Sequence, residues 1–244
     1  MKITVLGNNG PFPGAGGACS GYLLEDGENK LLLDCGNGVL SNLQKIVGFS
    51  GLDAIILSHL HSDHISDMMV LRYAVQIRMK RGLMDRLIDV YAPAEPPEEY
   101  ARLDIDDAFN LKPITPELVL SFGKLRITFT EVRHPVKSFA IKAEDGEKCF
   151  VYSGDTSWNE NIIGFSKGCD LLMLDAGLLS RDKTNNNVPH LTAKECGIIA
   201  KEAGVKQLLL THFWPEYDKR DLLREATENF SSVKTTEMMK SYEI

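Results

Sequence analysis

Asp53-Ala54-Ile55-Ile56-Leu57-Ser58-His59-Leu60-His61-Ser62-Asp63-His64 decides how the rest of this chain is read. Asp53 to Leu57 has the composition of a buried strand, and it runs at once into three histidines and an aspartate. In extended backbone alternate side chains point the same way, so His59 and His61 can share one metal ion. Asp63 and His64 fall where the chain turns into a helix and can face a second ion. Imidazole nitrogen with carboxylate oxygen suits zinc, and also manganese or iron(II).

Working outward, the same theme of a strand followed by a polar loop recurs. Leu125 to Val132 alternates like a half-buried strand and ends at Arg133-His134-Pro135. Cys149 to Tyr152 runs into Ser153-Gly154-Asp155-Thr156, Leu171 to Leu174 into Asp175-Ala176-Gly177, and Gln207 to Leu210 into Thr211-His212. Strand ends hold side chains on a rigid frame while the loops leave an open face for substrate. All six histidines (His59, His61, His64, His134, His190, His212) fall at such loops or beside a capped helix. A purely structural role does not account for that set. Asp155 alone could be a turn former, since Gly-Asp-Thr suits a turn, but its company makes it a ligand candidate.

The remaining elements are coarser. Ile3 to Leu6 reads as a strand ending in the Gly- and Pro-rich loop Gly7 to Gly17. Tyr22 to Leu24 and Leu31 to Leu33 flank Asp26-Gly27, a hairpin signal because both residues tolerate positive φ. Helical spacing covers Val39 to Val47 and Ile65 to Met79, Leu87 to Tyr91 is a short strand, and three prolines break Ala92 to Pro97. The best-marked helix lies between His190 and His212. Thr192 and Glu195 form a capping box, Ala193, Cys196, Ile199, Ala200 and Ala203 share a face, and Gly204 stops it.

Composition bounds the function. With 244 residues, a single domain over 1–244 is expected, and its core needs no structural metal, so any metal is free to be catalytic. The net charge of −7, from 34 acidic and 27 basic side chains, argues against a broad nucleic-acid surface. Cys19, Cys35, Cys149, Cys169 and Cys196 form no C-x-x-C pair and read as reduced, mostly buried thiols rather than disulfide partners. No signal-peptide core or membrane span is evident, so a cytoplasmic protein is expected. The basic stretch Arg72, Arg78, Lys80, Arg81 and Arg86 reads first as a solvated helix face, with steering of an anionic substrate as the sharper alternative. Trp214 either walls the pocket or fills core.

The motif His59-x-His61-x-Asp63-His64 resembles that of the metallo-β-lactamase superfamily. Ser153 to Thr156, Pro189 to Ala193, Leu209 to Phe213, Asp34-Cys35-Gly36 and the early Gly-Pro loop are similar to the ribonuclease Z group within it, so the likeness spans nearly the whole chain. The resemblance implies an α/β four-layer αββα sandwich with two metals at one edge of its sheets. Carried over by position, His59, His61 and His134 hold one metal, Asp63, His64 and His212 the other, and Asp155 bridges. His190 matches a family histidine that assists at the scissile phosphate. A homodimer is also implied.

Three departures matter. The long arm with which ribonuclease Z grips tRNA is missing, because only Lys142 to Lys148 separates the flanking strands. The family's His-Glu-Ala stretch appears as Leu174-Asp175-Ala176, which leaves the role of Asp175 open. Its His-Ser-Thr appears as His190-Leu191-Thr192. Large tRNA is therefore not the expected partner, while the metal chemistry stands.

The expected activity is hydrolysis by a hydroxide shared between two divalent ions, zinc first, with manganese or iron(II) as alternatives. A small phosphodiester is the favoured substrate, Asp63 orienting the nucleophile and His190 acting at the leaving oxygen. Ester, lactone or thioester hydrolysis on the same site, and tRNA 3′ processing, are the rivals among hydrolases. A di-iron redox role fits poorly, since such relatives carry Glu where His61 stands. A binding module without catalysis is disfavoured by the retention of all seven ligand candidates.

Overall fold

Leu31, Leu32 and Leu33 are all buried, yet they face opposite ways: Leu31 and Leu33 enter a core between two sheets, and Leu32 enters a second core outside them. The same split separates Phe150 and Tyr152 from Val151, and Leu171 and Met173 from Leu172 and Leu174. Strands covered on both faces read as continuous apolar runs, and the pleat sorts their residues between layers. A computed structural model of the chain describes residues 1–185 and 188–244.

The first sheet contains β1 (Lys2–Gly7), β2 (Gly21–Asp26), β3 (Asn29–Leu33), β4 (Ala54–Ile56), β5 (Ile88–Pro93) and β6 (Phe109–Ile114). The second contains β7 (Leu120–Phe122), β8 (Leu125–Val132), β9 (Ser138–Glu144), β10 (Cys149–Tyr152), β11 (Leu171–Asp175), β12 (Gln207–Thr211) and β13 (Val233–Thr235). The chain then returns to the first sheet, where β14 (Ser241–Glu243) pairs with β1. Helices α1 (Val39–Leu43), α3 (Met68–Lys80) and α4 (Pro97–Leu103) cover the first sheet, and α2 (Ser62–Ile65) carries the end of the histidine run. Helices α5 (Glu160–Phe165), α6 (Ala193–Ala203) and α7 (Lys219–Thr227) cover the second. The layers are the expected αββα sandwich.

Strand direction places the site. β3, β4 and β5 are parallel neighbours, as are β10, β11 and β12. β8 runs the same way as β10, because both pair antiparallel with β9. The C-terminal ends of these strands, with the residues that follow them, meet at one edge of the sandwich.

Local chemistry follows the sequence with a few differences. The capping box of α6 has both arms, and Gly204 ends the helix at φ 64°. The region expected as one helix from Ile65 divides into α2 and α3. Asp67 at the break accepts the Leu40 N–H at 2.8 Å and ties α3 to α1. The helix expected to reach Val47 ends at Leu43. Asp26 stays in strand, paired with Asn29, so the hairpin turns on Gly27-Glu28, and of the Asp26-Gly27 pair only Gly27 takes positive φ. The short connection from β9 to β10 is closed by Asp145 Oδ1, which accepts the N–H groups of Glu147 and Lys148 and leaves no inserted arm.

One expectation is corrected. Cys149 and Cys169 are disulfide-bonded, with Cα atoms 4.9 Å apart, rather than free thiols. Parallel pairing of β10 with β11 brings together the start of one strand and the residues leading into the other, a proximity hidden by 20 positions of sequence. Cys19, Cys35 and Cys196 are free and buried, as expected. Among the described residues, no helix is long and apolar enough to cross a membrane.

Candidate metal centre

The loop after β4 presents His59 and His61, and α2 presents Asp63 and His64. His134 follows β8, Asp155 follows β10, and His212 follows β12. Their donor atoms fall into groups in which every atom lies within 4.8 Å of the others. One group is His59, His61 and His134; another is Asp63, His64, Asp155 and His212. A third, Asp155, Asp175, His190 and His212, overlaps the second. All seven sequence-derived ligand candidates, and His190, are therefore brought to one place.

Asp155 is the hub. Its Oδ1 lies 3.2 Å from His64 Nε2, and its Oδ2 lies 3.2 Å from His212 Nε2 and 3.8 Å from His59 Nε2. Asp63 Oδ2 is 3.2 Å from His212 Nε2 and 3.6 Å from His64 Nε2. His61 Nδ1 and His134 Nε2 are 3.0 Å apart.

A second set of side chains fixes the imidazoles. His64 Nδ1 donates to Asp34 Oδ2 at 2.8 Å, which leaves Nε2 facing inward. Asp34 is fully buried and also accepts the Ser58 N–H, the Ser58 hydroxyl and the Tyr152 hydroxyl, at 2.7 to 2.8 Å. His134 Nδ1 faces the Pro189 carbonyl at 3.1 Å. His190 Nδ1 donates to Asp175 Oδ2 at 2.8 Å, and Asp175 Oδ1 accepts the Gly177 N–H. Such outer partners set tautomer and ring orientation at metal sites.

Asp34 and Asp175 are what sequence reasoning missed or left open. The signal for Asp34 was the rule used for the histidines, since it is the residue directly after β3. Gly10 was missed too: a Cβ there would stand 1.9 Å from His212 Nε2, so the Gly7 to Gly17 loop can close on the imidazole only with glycine at that point. Asp34 and His212 both hold positive φ, at 57° and 56°, and such backbone strain gathers at functional sites.

The buried donors carry the test of whether a metal fits. His59 Nε2, His64 Nε2 and Asp155 Oδ1 are buried without a hydrogen-bond partner. Each such atom costs about 1–3 kcal/mol if left unsatisfied, a penalty that coordination to a cation removes. The electrostatics agree. Burial pushes His59 well below its ordinary range and His134 down to about 4, which keeps both neutral as ligands must be. Burial also opposes charge on His64, but the Asp155 and Asp34 carboxylates outweigh it and hold the imidazolium up to about 10. Asp155 is kept well below the usual carboxylate range because His212 and His64 outweigh its burial. Without a cation, protons on His64 and His212 supply the positive charge that the carboxylates demand.

Trp214 and the basic stretch fall outside the cluster. Trp214 is half-buried and meets Phe12 edge-on at 5.2 Å, in the Gly7 to Gly17 loop, rather than filling core. The basic stretch lies on and just beyond α3: Arg72 donates to the Tyr73 hydroxyl, Arg78 to the Leu83 carbonyl and Arg86 to the Leu52 carbonyl.

The pattern of the beta-lactamase superfamily domain matches residues 29–213. The chain is 38% identical over 225 residues to the probable metallo-hydrolase YhfI of Bacillus subtilis, covering 92% of this chain and 91% of that one. The crystal structure of that metallo-beta-lactamase fold protein superposes with a TM-score of 0.92 at 35% identity, over 99% of each chain. A ribonuclease Z of Bradyrhizobium sp. is 25% identical over 295 residues, 96% of each chain. A diphosphatase of the PhnP family shares the fold, with a TM-score of 0.78 at 16% identity over 100% of this chain and 97% of the other. With its motif, its sandwich and its buried His/Asp groups on one sheet edge, the chain belongs to the metallo-β-lactamase superfamily.

Proposed function

We propose that this chain is a metal-dependent hydrolase of small phosphodiesters. Two divalent ions, zinc in the first instance and manganese or iron(II) as alternatives, would be held by His59, His61 and His134 and by Asp63, His64 and His212, with Asp155 available to both groups. When bound, such a pair supplies Lewis acidity towards a phosphoryl oxygen and water acidified enough to attack near neutral pH.

The chain's own groups do the rest. Asp63 accepts a hydrogen bond from the attacking water and fixes its direction. His190 sits beside Asp155, with Nδ1 tied to Asp175. Burial opposes its charge, but Asp175 outweighs burial and raises its pKa, so the ring keeps its proton to higher pH than a free imidazole does. Its Nε2–H then donates to the leaving oxygen or to the charge developing on phosphorus.

The His190–Asp175 pair beside the metal groups is the observation that carries this reading. A positioned acid matters most where an alkoxide must leave. The relatives named ribonuclease Z and the diphosphatase act on phosphorus esters or anhydrides, which favours the same class here. The closed turn between β9 and β10 argues against a long tRNA substrate.

Hydrolysis of bis-p-nitrophenyl phosphate by metal-reconstituted protein, set against a panel of lactones and thioesters, tests the substrate class. Turnover of the phosphodiester well above the panel is expected. Preferential opening of a lactone would replace this reading with the carbonyl one.

A further inference from the structure

Resting on the diester reading, we infer that Phe12 and Trp214 form an aromatic rim that takes a flat ring carried on the substrate, a nucleobase or an aryl group. Two segments that reach the metal groups supply it. Gly10 lies against His212 Nε2, the nitrogen turned towards Asp63 and Asp155, and Phe12 is two residues further on. Trp214 is two residues beyond His212 itself. Consecutive Cα atoms are about 3.8 Å apart, so each aromatic residue starts within about 7.6 Å of a residue at the metal groups. A ring joined to phosphorus through a short arm spans that distance. Phe213, which pairs with Asn9 in a parallel bridge, is 1% exposed in the core under the outer helices, and the residues flanking it point the other way.

The loop does not need these rings to hold it in place. The Gly10 N–H donates to the Phe213 carbonyl at 3.1 Å, the Phe213 N–H to the Asn8 carbonyl at 2.8 Å, and Asn9 Nδ2 to the Phe213 carbonyl at 3.4 Å. Phe12 nevertheless stands 41% exposed, with its ring centroid 5.2 Å from that of Trp214 and the two planes at 83°. The Trp214 indole N–H donates to Glu216 Oε2 at 3.4 Å, which steadies the second ring. An edge-to-face pair makes a corner in which a third ring can stack on one member and meet the edge of the other. Such stacking tolerates any base or aryl group, because each has a π-face. Phe12 is the one exposed large apolar side chain in residues 7–17 and 212–218, far short of the about 800 Å² a side of a stable protein interface. The occupant is therefore a small molecule.

One-armed phosphonates test this without turnover: methyl, cyclohexylmethyl, benzyl, 1-naphthylmethyl and (adenin-9-yl)methyl phosphonate, titrated by calorimetry into zinc-reconstituted protein. At least one flat ring should bind about tenfold more tightly than the methyl and cyclohexylmethyl arms. The better of naphthyl and adenine tells an aryl group from a base. That preference should fall towards one in Phe12→Leu, which keeps an apolar side chain at an exposed position, with metal content unchanged. Trp214→Leu should act in the same direction. Flat rings that bind no better than cyclohexylmethyl, a preference that survives Phe12→Leu, or no binding of any phosphonate would overturn the rim. Hydrolysis of bis-p-nitrophenyl phosphate is read separately. Its absence beside an intact ring preference sinks the diester reading and leaves the subsite; its presence without any preference does the reverse.

Discussion

Asp175 Oδ2 lies 2.8 Å from His190 Nδ1, and its Oδ1 lies 3.4 Å from His212 Nδ1, so one buried carboxylate steadies both the proposed acid and a proposed ligand. Asp175→Asn keeps the shape and removes the charge. An outer-shell change of this kind costs about 10–100-fold in activity or metal affinity. The pH profile separates the two. Asp175 raises the His190 pKa, so the acid form persists to higher pH in the unaltered protein, and losing the carboxylate should move the alkaline limb of kcat to lower pH. An unmoved limb with full metal content would remove His190 from its role.

Asp155 has a sharper expectation, because it belongs to two of the three donor groups and contacts His59, His64 and His212. Asp155→Ala should lower metal affinity by more than the about 100-fold of an outer-shell change, and abolish turnover. Metal analysis after dialysis checks it. A variant that keeps two ions per chain and its activity would break the assignment.

The difference between those two aspartates reflects what a sequence can carry. His59, His61, Asp63 and His64 are adjacent in the chain, so one strand and one turn determine their geometry. Asp155 and His212 were legible because each follows an apolar run that the pleat buries on both faces, and His134 because it follows a strand of alternating, half-buried residues. Asp34 and Tyr152 meet across the two sheets, 118 positions apart, and only the sandwich itself brings them together. The Cys149–Cys169 contact escaped for the same reason, since it depends on which parallel strands are neighbours. Helix lengths failed locally: at the break before α3, Asp67 bonds to Leu40 and to the Cys35 carbonyl, contacts with another part of the chain that helix spacing does not carry.

Gly10 gives a steric prediction. A methyl group there would overlap His212 Nε2, and the close approach is of loop backbone onto a ring held by Asp155 and Asp175. Gly10→Ala should therefore lower stability by about 1–3 kcal/mol, as overpacking does, and weaken metal retention with it. Thermal unfolding of the metal-loaded protein measures the first and dialysis against chelator the second. Loss of neither would mean that the loop can lift from His212 without consequence.

Stability against pH gives the last test, and its sign differs between two histidines of the same centre. His64 has a folded pKa of about 10, above its unfolded value, so it stabilises the metal-free protein fully below about pH 6.5 and loses that contribution as pH rises towards 10. His134 has a folded pKa of about 4, so the unfolded chain takes up its proton first and stability falls as pH drops from about 6.5 towards 4. Chelator-stripped protein should thus have its highest Tm near pH 6.5 and decline on both sides. Added zinc should restore stability most visibly on the alkaline side, where the cation replaces the departing proton. At a thousandfold excess over Kd the gain is about 4 kcal/mol. Calorimetry from pH 5 to 9, with and without metal, reads both effects. A Tm indifferent to chelation throughout would mean that these buried donors hold no ion, however closely they converge.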